Sequence, residues 1–421
     1  MYNKNMWNIH RNTEIKFPII IAVLLVMCFF ILSILDHIQT SINRSVSTTD
    51  SNAKSSIKTP AIASNTAVVP PSAVVSSTKV DPNPPIPVTQ PLPNIGHVVG
   101  IAAGGVLPRM TVSDMNKALD DMVKLGVTWV RFDIEWGVVQ YSSPNNSNWA
   151  NYDAMVNAIN AHHMKGLGII LFTPEWARNP KCTGGAKCPP NDPRQYAVFA
   201  SQVVNRYKDQ GMHYWEIWNE PNNYDFWATT TDCNAYTNLL KATYPLLKKV
   251  DPNSIILTGG LAPEATDKHN ISRIDFLICI YKDGGKNYFD AVGDHPYTFP
   301  NFASKGDDNA WGQMSRSNPS MRSIMIANGD ANKKIWLTEV GAPTNGPDSY
   351  WFVNENKQAQ MITDLMAQYK TYDWAGPIFW YTLKDSGTST NTIENFFGLI
   401  RLDGTFKPAY TTLKNYIYSG L

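Results

Sequence analysis

The chain has 421 residues, with 36 Lys+Arg against 35 Asp+Glu and a formal charge of +1. That balance gives no support for nucleic acid as a partner, because binding a phosphate backbone needs a concentrated basic face, and none is expected. Aromatic residues make up 11% of the chain, including 13 Trp and 19 Tyr, which serves equally a large core or a cleft that stacks on sugar rings.

The first informative stretch is Phe17–Leu35, which carries no charge. At about 1.5 Å per residue it is just long enough to cross a bilayer core of roughly 30 Å. Lys4, Arg11 and Lys16 precede it and Asp36 follows. Residues 1–16 therefore read as a cytoplasmic tail and 17–35 as a transmembrane anchor, with everything after residue 36 periplasmic or extracellular. The stretch is longer than the apolar region of a cleaved signal peptide and lacks its small-residue cleavage site, so the anchor is expected to stay. Cys28 reads as a membrane-embedded thiol. Residues 36–94 are rich in Ser, Thr and Pro, including Pro84-Pro85-Ile86-Pro87, and form a tether with too few large apolar residues to fold.

From residue 95 to 421 the pattern changes to short apolar runs alternating with amphipathic stretches. Strands are predicted at His97–Ala103, Trp129–Trp136, Gly166–Phe172, His213–Asn219, Ile255–Gly260, Ala291–Tyr297, Ile335–Val340 and Pro377–Thr382. Helices are predicted at Ser113–Leu125, Tyr152–His163, Arg194–Gln210, Cys233–Val250 and Asn354–Tyr369, with Gly126 and Gly211 as stops. Eight β-then-α units define an α/β chain, a (β/α)8 TIM barrel. Cys182 and Cys188 flank a Gly-rich loop and are expected to form a disulfide outside the cytoplasm. Cys279, within an apolar helical run, reads as plain core. His162 and His163 lie on a helix away from the strand ends and read as surface or packing.

Two carboxylates stand where a barrel keeps its chemistry. Glu220 closes the run Tyr214-Trp215-Glu216-Ile217-Trp218-Asn219, and Pro221 turns the chain out of the sheet. Glu339 closes Ile335-Trp336-Leu337-Thr338 three strands later. Strands four and seven lie across an eight-strand barrel, so both acids can reach one mouth. A separation of about 5–5.5 Å suits a retaining glycosidase and roughly 6.5–9.5 Å an inverting one. Arg131 is a charge inside an apolar strand and needs a partner, for which Asp133 or Glu135 stand beside it.

The stretch Tyr214–Trp227, with Trp218-Asn219-Glu220-Pro221-Asn222, together with Trp336–Gly341, resembles the two catalytic strands of clan A glycoside hydrolases. It is most similar to family 39, with the cellulase-rich family 5 next. The resemblance covers His97 to the C-terminus. It implies Glu220 as general acid/base, which must hold a proton for the leaving oxygen, and Glu339 as an ionised nucleophile. It implies Asn219 on the sugar 2-hydroxyl, Arg131 beneath the nucleophile, and His295 and Tyr297 against nucleophile or substrate, with a core histidine as the other reading of His295. It further implies Trp380 as an aromatic floor for the sugar; Trp136 and Trp176 end strands and either line the cleft or cap the barrel. Family 39 xylosidases carry an accessory β domain, for which the residues after strand eight leave no room.

The expected function is therefore a membrane-anchored retaining glycoside hydrolase needing no metal or cofactor. Its expected substrate is a poly- or oligosaccharide, with endo action on a bacterial exopolysaccharide in export or biofilm turnover. An exo-acting β-glycosidase and a silent polysaccharide-binding barrel are the alternatives. Oligomeric state is left open.

Overall fold

The computed structural model describes residues 96–228 and 230–419. The expected anchor and tether, residues 17–35 and 36–94, lie outside them. Among the described residues no helix is long and apolar enough to cross a membrane.

Eight strands alternate with helices: β1 Val99–Gly104, α1 Val112–Leu125, β2 Trp129–Glu135, α2 Ala150–Ala161, β3 Lys165–Leu171, α3 Pro193–Tyr207, β4 Tyr214–Ile217, α4 Cys233–Val250, β5 Ile255–Thr258, α5 Arg273–Lys282, β6 Val292–Asp294, α6 Met321–Ala327, β7 Ile335–Val340, α7 Glu355–Tyr369, β8 Ala375–Tyr381 and α8 Pro408–Tyr418. Short helices and 3-10 turns occupy several loops between them. The pairing is parallel, in the order β5-β4-β3-β2-β1-β8-β7-β6. Isolated parallel bridges Leu257–Ala291 and Leu261–Asp294 join the two edges and complete a (β/α)8 barrel.

Local chemistry explains the helix ends. The Thr111 hydroxyl caps α1 by accepting from the Asp114 N–H, and Gly126 ends it in the left-handed region, φ 100°. Asp232 and Asn354 cap α4 and α7 in the same way.

Strand residues alternate between two layers, as a period of two requires. Val130, Phe132 and Ile134 face the helices, within the main core cluster. Trp129, Trp336, Phe379 and Leu257 face inward and plug the barrel. Trp129 meets Trp336 edge-on at 5.7 Å between centroids and Tyr214 at 4.6 Å. Above this plug the inward positions turn polar, and Arg131, Glu216 and Thr338 are buried.

Two cysteine pairs are bonded: Cys182–Cys188, as expected, and Cys233–Cys279. The second corrects the reading of Cys279 as plain core. Cys279 sits on the half-buried flank of α5, where the start of α4 packs against it. That neighbour is set by tertiary packing across 46 residues of chain.

Candidate active site

β4 ends at Ile217, two residues before the expected limit. Trp218 and Glu220 adopt positive φ, 69° and 43°, a region that side chains other than glycine rarely enter. Hydrogen bonds hold the corner: the Trp218 N–H donates to Ile170 O, and the Glu220 N–H to Gly260 O. Gly260 is required there, because a Cβ would lie 2.1 Å from His295 Nε2 and 2.5 Å from Thr338 Oγ1. The corner swings the Glu220 carboxyl over the barrel mouth.

Glu339 reaches the same mouth by a different route. The β7–β8 register shifts between Leu337 and Val340. Those two residues face the helix layer, while Thr338 and Glu339 between them both reach the interior. A bulge re-aims a side chain in this way beside many active sites.

Arg131 stands beneath both acids and is 1% exposed. Its Nε donates to Glu216 Oε2 at 2.7 Å, Nη1 to Glu339 Oε1 at 2.5 Å and Nη2 to Asn219 Oδ1 at 2.8 Å. Of the two readings of Arg131, this is the pairing with the strand-seven acid; Glu135 is taken by Arg109 instead. The Asn219 amide is thereby oriented with its Nδ2 left for the cavity. Tyr297 OH donates to Glu339 Oε2 at 2.7 Å. His295 Nδ1 lies 2.8 Å from Glu220 Oε1, and Asn223 Nδ2 donates to Glu220 Oε2 at 3.0 Å. The buried Arg273–Asp294 pair, with Arg273 Nη2 also on His295 O, fixes the end of β6 and so the imidazole.

Burial opposes ionisation of Glu339, but His295 and Arg131, with the Tyr297 hydroxyl, outweigh it and hold the carboxyl below the ordinary glutamate range. Burial also opposes a charged His295; Glu339 and Glu220 beside it win and raise its pKa. Carboxylate oxygens of Glu220 and Glu339 and a nitrogen of His295 lie within 4.8 Å of one another. The donor types could hold a cation, but the Arg131 guanidinium already neutralises Glu339 and would repel one.

The cavity above these groups measures about 380 Å³. Asp133, Glu220, Glu339 and Glu394 supply its carboxylates and Phe226, Tyr297, Phe299, Tyr381 and Phe397 its rings; among the described residues no Lys or Arg lines it. Burial pushes Asp133 up to about 7 even with Arg131 close by.

Six of the sequence-derived residues thus meet: Arg131, Asn219, Glu220, His295, Tyr297 and Glu339. Three do not. Trp380 is 1% exposed and faces the helices, its Nε1 donating to Phe397 O. Strand alternation gives the cavity position to Tyr381 instead, so the expected floor at Trp380 is corrected. Trp136 is buried against Phe199, Tyr196 and Trp176, and the Trp176 indole donates to Gln140 O; both cap the outer layer rather than line the cavity. Glu216, unforeseen, is fully buried, taking Arg131, the Gly260 N–H and Thr338 Oγ1. Its signal was present: it is a charge in an apolar strand, the same mark that singled out Arg131.

A (β/α)8 barrel whose fourth and seventh strands bring two glutamates to one mouth is the architecture of the clan A glycoside hydrolases. Residues 102–382 match the profile of Cellulase (glycosyl hydrolase family 5). The chain belongs to that family. No curated protein sequence matches it. Among solved structures it resembles a family 39 glycoside hydrolase from Bacteroides cellulosilyticus WH2, with TM-score 0.60 and 22% identity over 78% of this chain and 64% of that one. A monomeric beta-xylosidase from Caulobacter crescentus CB15 gives TM-score 0.60 and 20% identity over 77% of this chain and 68% of that one. A GH5_18 protein from Streptomyces cattleya gives 0.58 and 15% over 77% and 80%. At these identities the likeness is one of fold. The chain thus spans less than two thirds of the first of these relatives.

Proposed function

We infer that this glycoside hydrolase works with retention of configuration, Glu339 as nucleophile and Glu220 as acid/base. The observation that carries the reading is the approach of their oxygens to within 4.8 Å, close to the spacing of about 5–5.5 Å that lets one carboxylate attack the anomeric carbon directly. Glu220 protonates the leaving oxygen as Glu339 forms the glycosyl ester. Water, deprotonated by Glu220, then breaks that ester. Two donors, Arg131 and Tyr297, with the charge of His295 nearby, keep Glu339 anionic for attack, and the Asn219 Nδ2 is placed to donate to the hydroxyl next to the reacting carbon. A lining with four carboxylates and, among the described residues, no Lys or Arg suits a neutral glycan better than a uronate-rich one.

The substrate we propose is an exopolysaccharide cut internally, by a barrel tethered through residues 17–35 on the non-cytoplasmic side of a membrane. The basic flank before residue 17 and the two disulfides support that placement.

The test is hydrolysis of a β-glycan panel by the parent and by Glu339→Gln, with the first-formed anomer read by NMR. Retention in the parent and loss of turnover in the variant are expected. An inverted first product, or an active Glu339→Gln protein, would refute the assignment. Glu220→Gln should lose roughly 10²–10⁴-fold on poor leaving groups and far less on activated aryl glycosides; equal loss on both would argue against Glu220 as the acid.

A further inference from the structure

A second cavity, of about 460 Å³, opens beside the first between α1 and the segment that follows β8. The two share Gly104, Gly105, Tyr381 and Glu394. Gly104 and Gly105 form the saddle between them. A Cβ at Gly104, where φ is 52°, would meet nothing within 4 Å, whereas one at Gly105 would lie 2.5 Å from Arg109 Nη1, so the saddle is clear at Gly104 and flanked by the Arg109 side chain at Gly105.

The lining of this groove combines an aliphatic floor with charged residues at its margins, Asp114, Asp121, Asp385 and Glu394 among them. Leu107, Met122, Leu383 and Ile400 are buried and form its floor, while Val106 and Leu402 stand at its edge 56% and 44% exposed. Tyr381 is its one aromatic residue among those described. Unsubstituted sugar rings are held on flat aromatic faces. A groove of leucine, isoleucine and methionine instead suits an alkyl group, which is worth most when removed from water. Lys117 and Lys384 also line it and offer donors to a carbonyl.

Position along the glycan follows from the catalytic groups. The acid follows β4, and the leaving group must lie against it. β8 and β1 are opposite β4 and β5 in the barrel order, so the groove receives the part of the chain on the glycone side.

We propose that this groove binds a short O-acyl ester carried by the glycone part of the substrate, so that the enzyme selects acylated over unacylated glycan. The alkyl end of the ester would sit on the aliphatic floor, and its carbonyl would accept from Lys117 or Lys384. The inference rests on the glycosidase reading above and names the substrate class of the same cleft.

The experiment uses the full-length chain on O-acetylated glucomannan and O-acetylated xylan, each native and after mild alkaline deacetylation, with aryl β-glycosides alongside. One apolar group seated in a pocket is worth roughly tenfold in kcat/KM, and that preference for an acetylated polymer is expected. Ala118→Trp, which fills the groove from the surface of α1, should abolish the preference while leaving the deacetylated rate and the aryl glycosides unchanged. Leu402→Ser, at an exposed position, should weaken it without affecting the fold. Equal rates, a preference that survives Ala118→Trp, or no attack on either polymer would overturn the proposal. The last result combined with idle aryl glycosides would overturn the glycosidase reading as well, whereas cleavage without preference removes only the acyl groove.

Discussion

Replacing Arg131 with Met tests the electrostatic centre of the barrel. The change nearly preserves volume but removes the partner of two carboxylates, Glu216 with its side chain 0% exposed and Glu339 at 15%. Breaking a buried pair from one side costs about 3–5 kcal/mol, because the abandoned charge stays buried. For a folded region of this size that corresponds to a fall in Tm of roughly 4–7 °C. The sign with pH follows from Glu339. Its pKa is lowered in the folded protein, so the stability from its ionisation is full above its unfolded value and is lost as pH falls through the lower folded value. Without Arg131 the depression weakens, so the deficit is largest near pH 7 and narrows toward pH 4 as Glu339 takes up its proton. Guanidinium unfolding of parent and variant at pH 7 and pH 4.5 measures both effects. Adding Glu216→Gln to the variant should recover part of the loss, since it removes one orphaned charge. A deficit under about 1 kcal/mol at pH 7, or one independent of pH, would refute the view that Arg131 is held by charge compensation.

Trp380→Phe should cost about 1–3 kcal/mol of stability through lost packing and leave KM unchanged, whereas Tyr381→Phe, which removes the 2.9 Å bond to Glu394, should alter KM with little effect on melting. The reverse pattern would return the cleft position to Trp380. Cys233→Ser with Cys279→Ser should lower stability by about 2–4 kcal/mol, seen as a matching sensitivity of the parent to reductant in thermal melts. Asp133→Asn tests the buried acid whose pKa burial raises to about 7. The folded form keeps that proton to higher pH than the unfolded chain, so ionisation destabilises the parent as pH rises from its unfolded value toward 7. The variant should therefore gain about 1–3 kcal/mol over the parent at pH 8 and nothing at pH 4. Equal gains at both would show that Asp133 is not strained by its charge.

The chain by itself determined the barrel and its catalytic strands. Period-two apolar runs and amphipathic helices are local consequences of which face is buried, and strand limits at Trp129, Ile255 and Ile335 could be read directly from them. The limits that moved are the mouth ends of β4, β5 and β6, where the chain leaves the ladder through backbone turns, and the starts of β1 and β8, each two residues from its expected place. Glu220, Glu339, Asn219 and Arg131 were legible because a charged or amide residue in or closing an apolar strand needs a reason.

Tertiary structure decided what depends on two segments at once. Arg131 meets Glu216, Glu339 and Asn219 because the inward side chains of β2, β4 and β7 converge in the lumen of the closed barrel, a relation with no trace in spacing. The bond from Cys233 to Cys279 needs α4 beside α5. Tyr381 rather than Trp380 faces the sugar cavity because one step along β8 reverses the face, and only the assembled register says which face is inside.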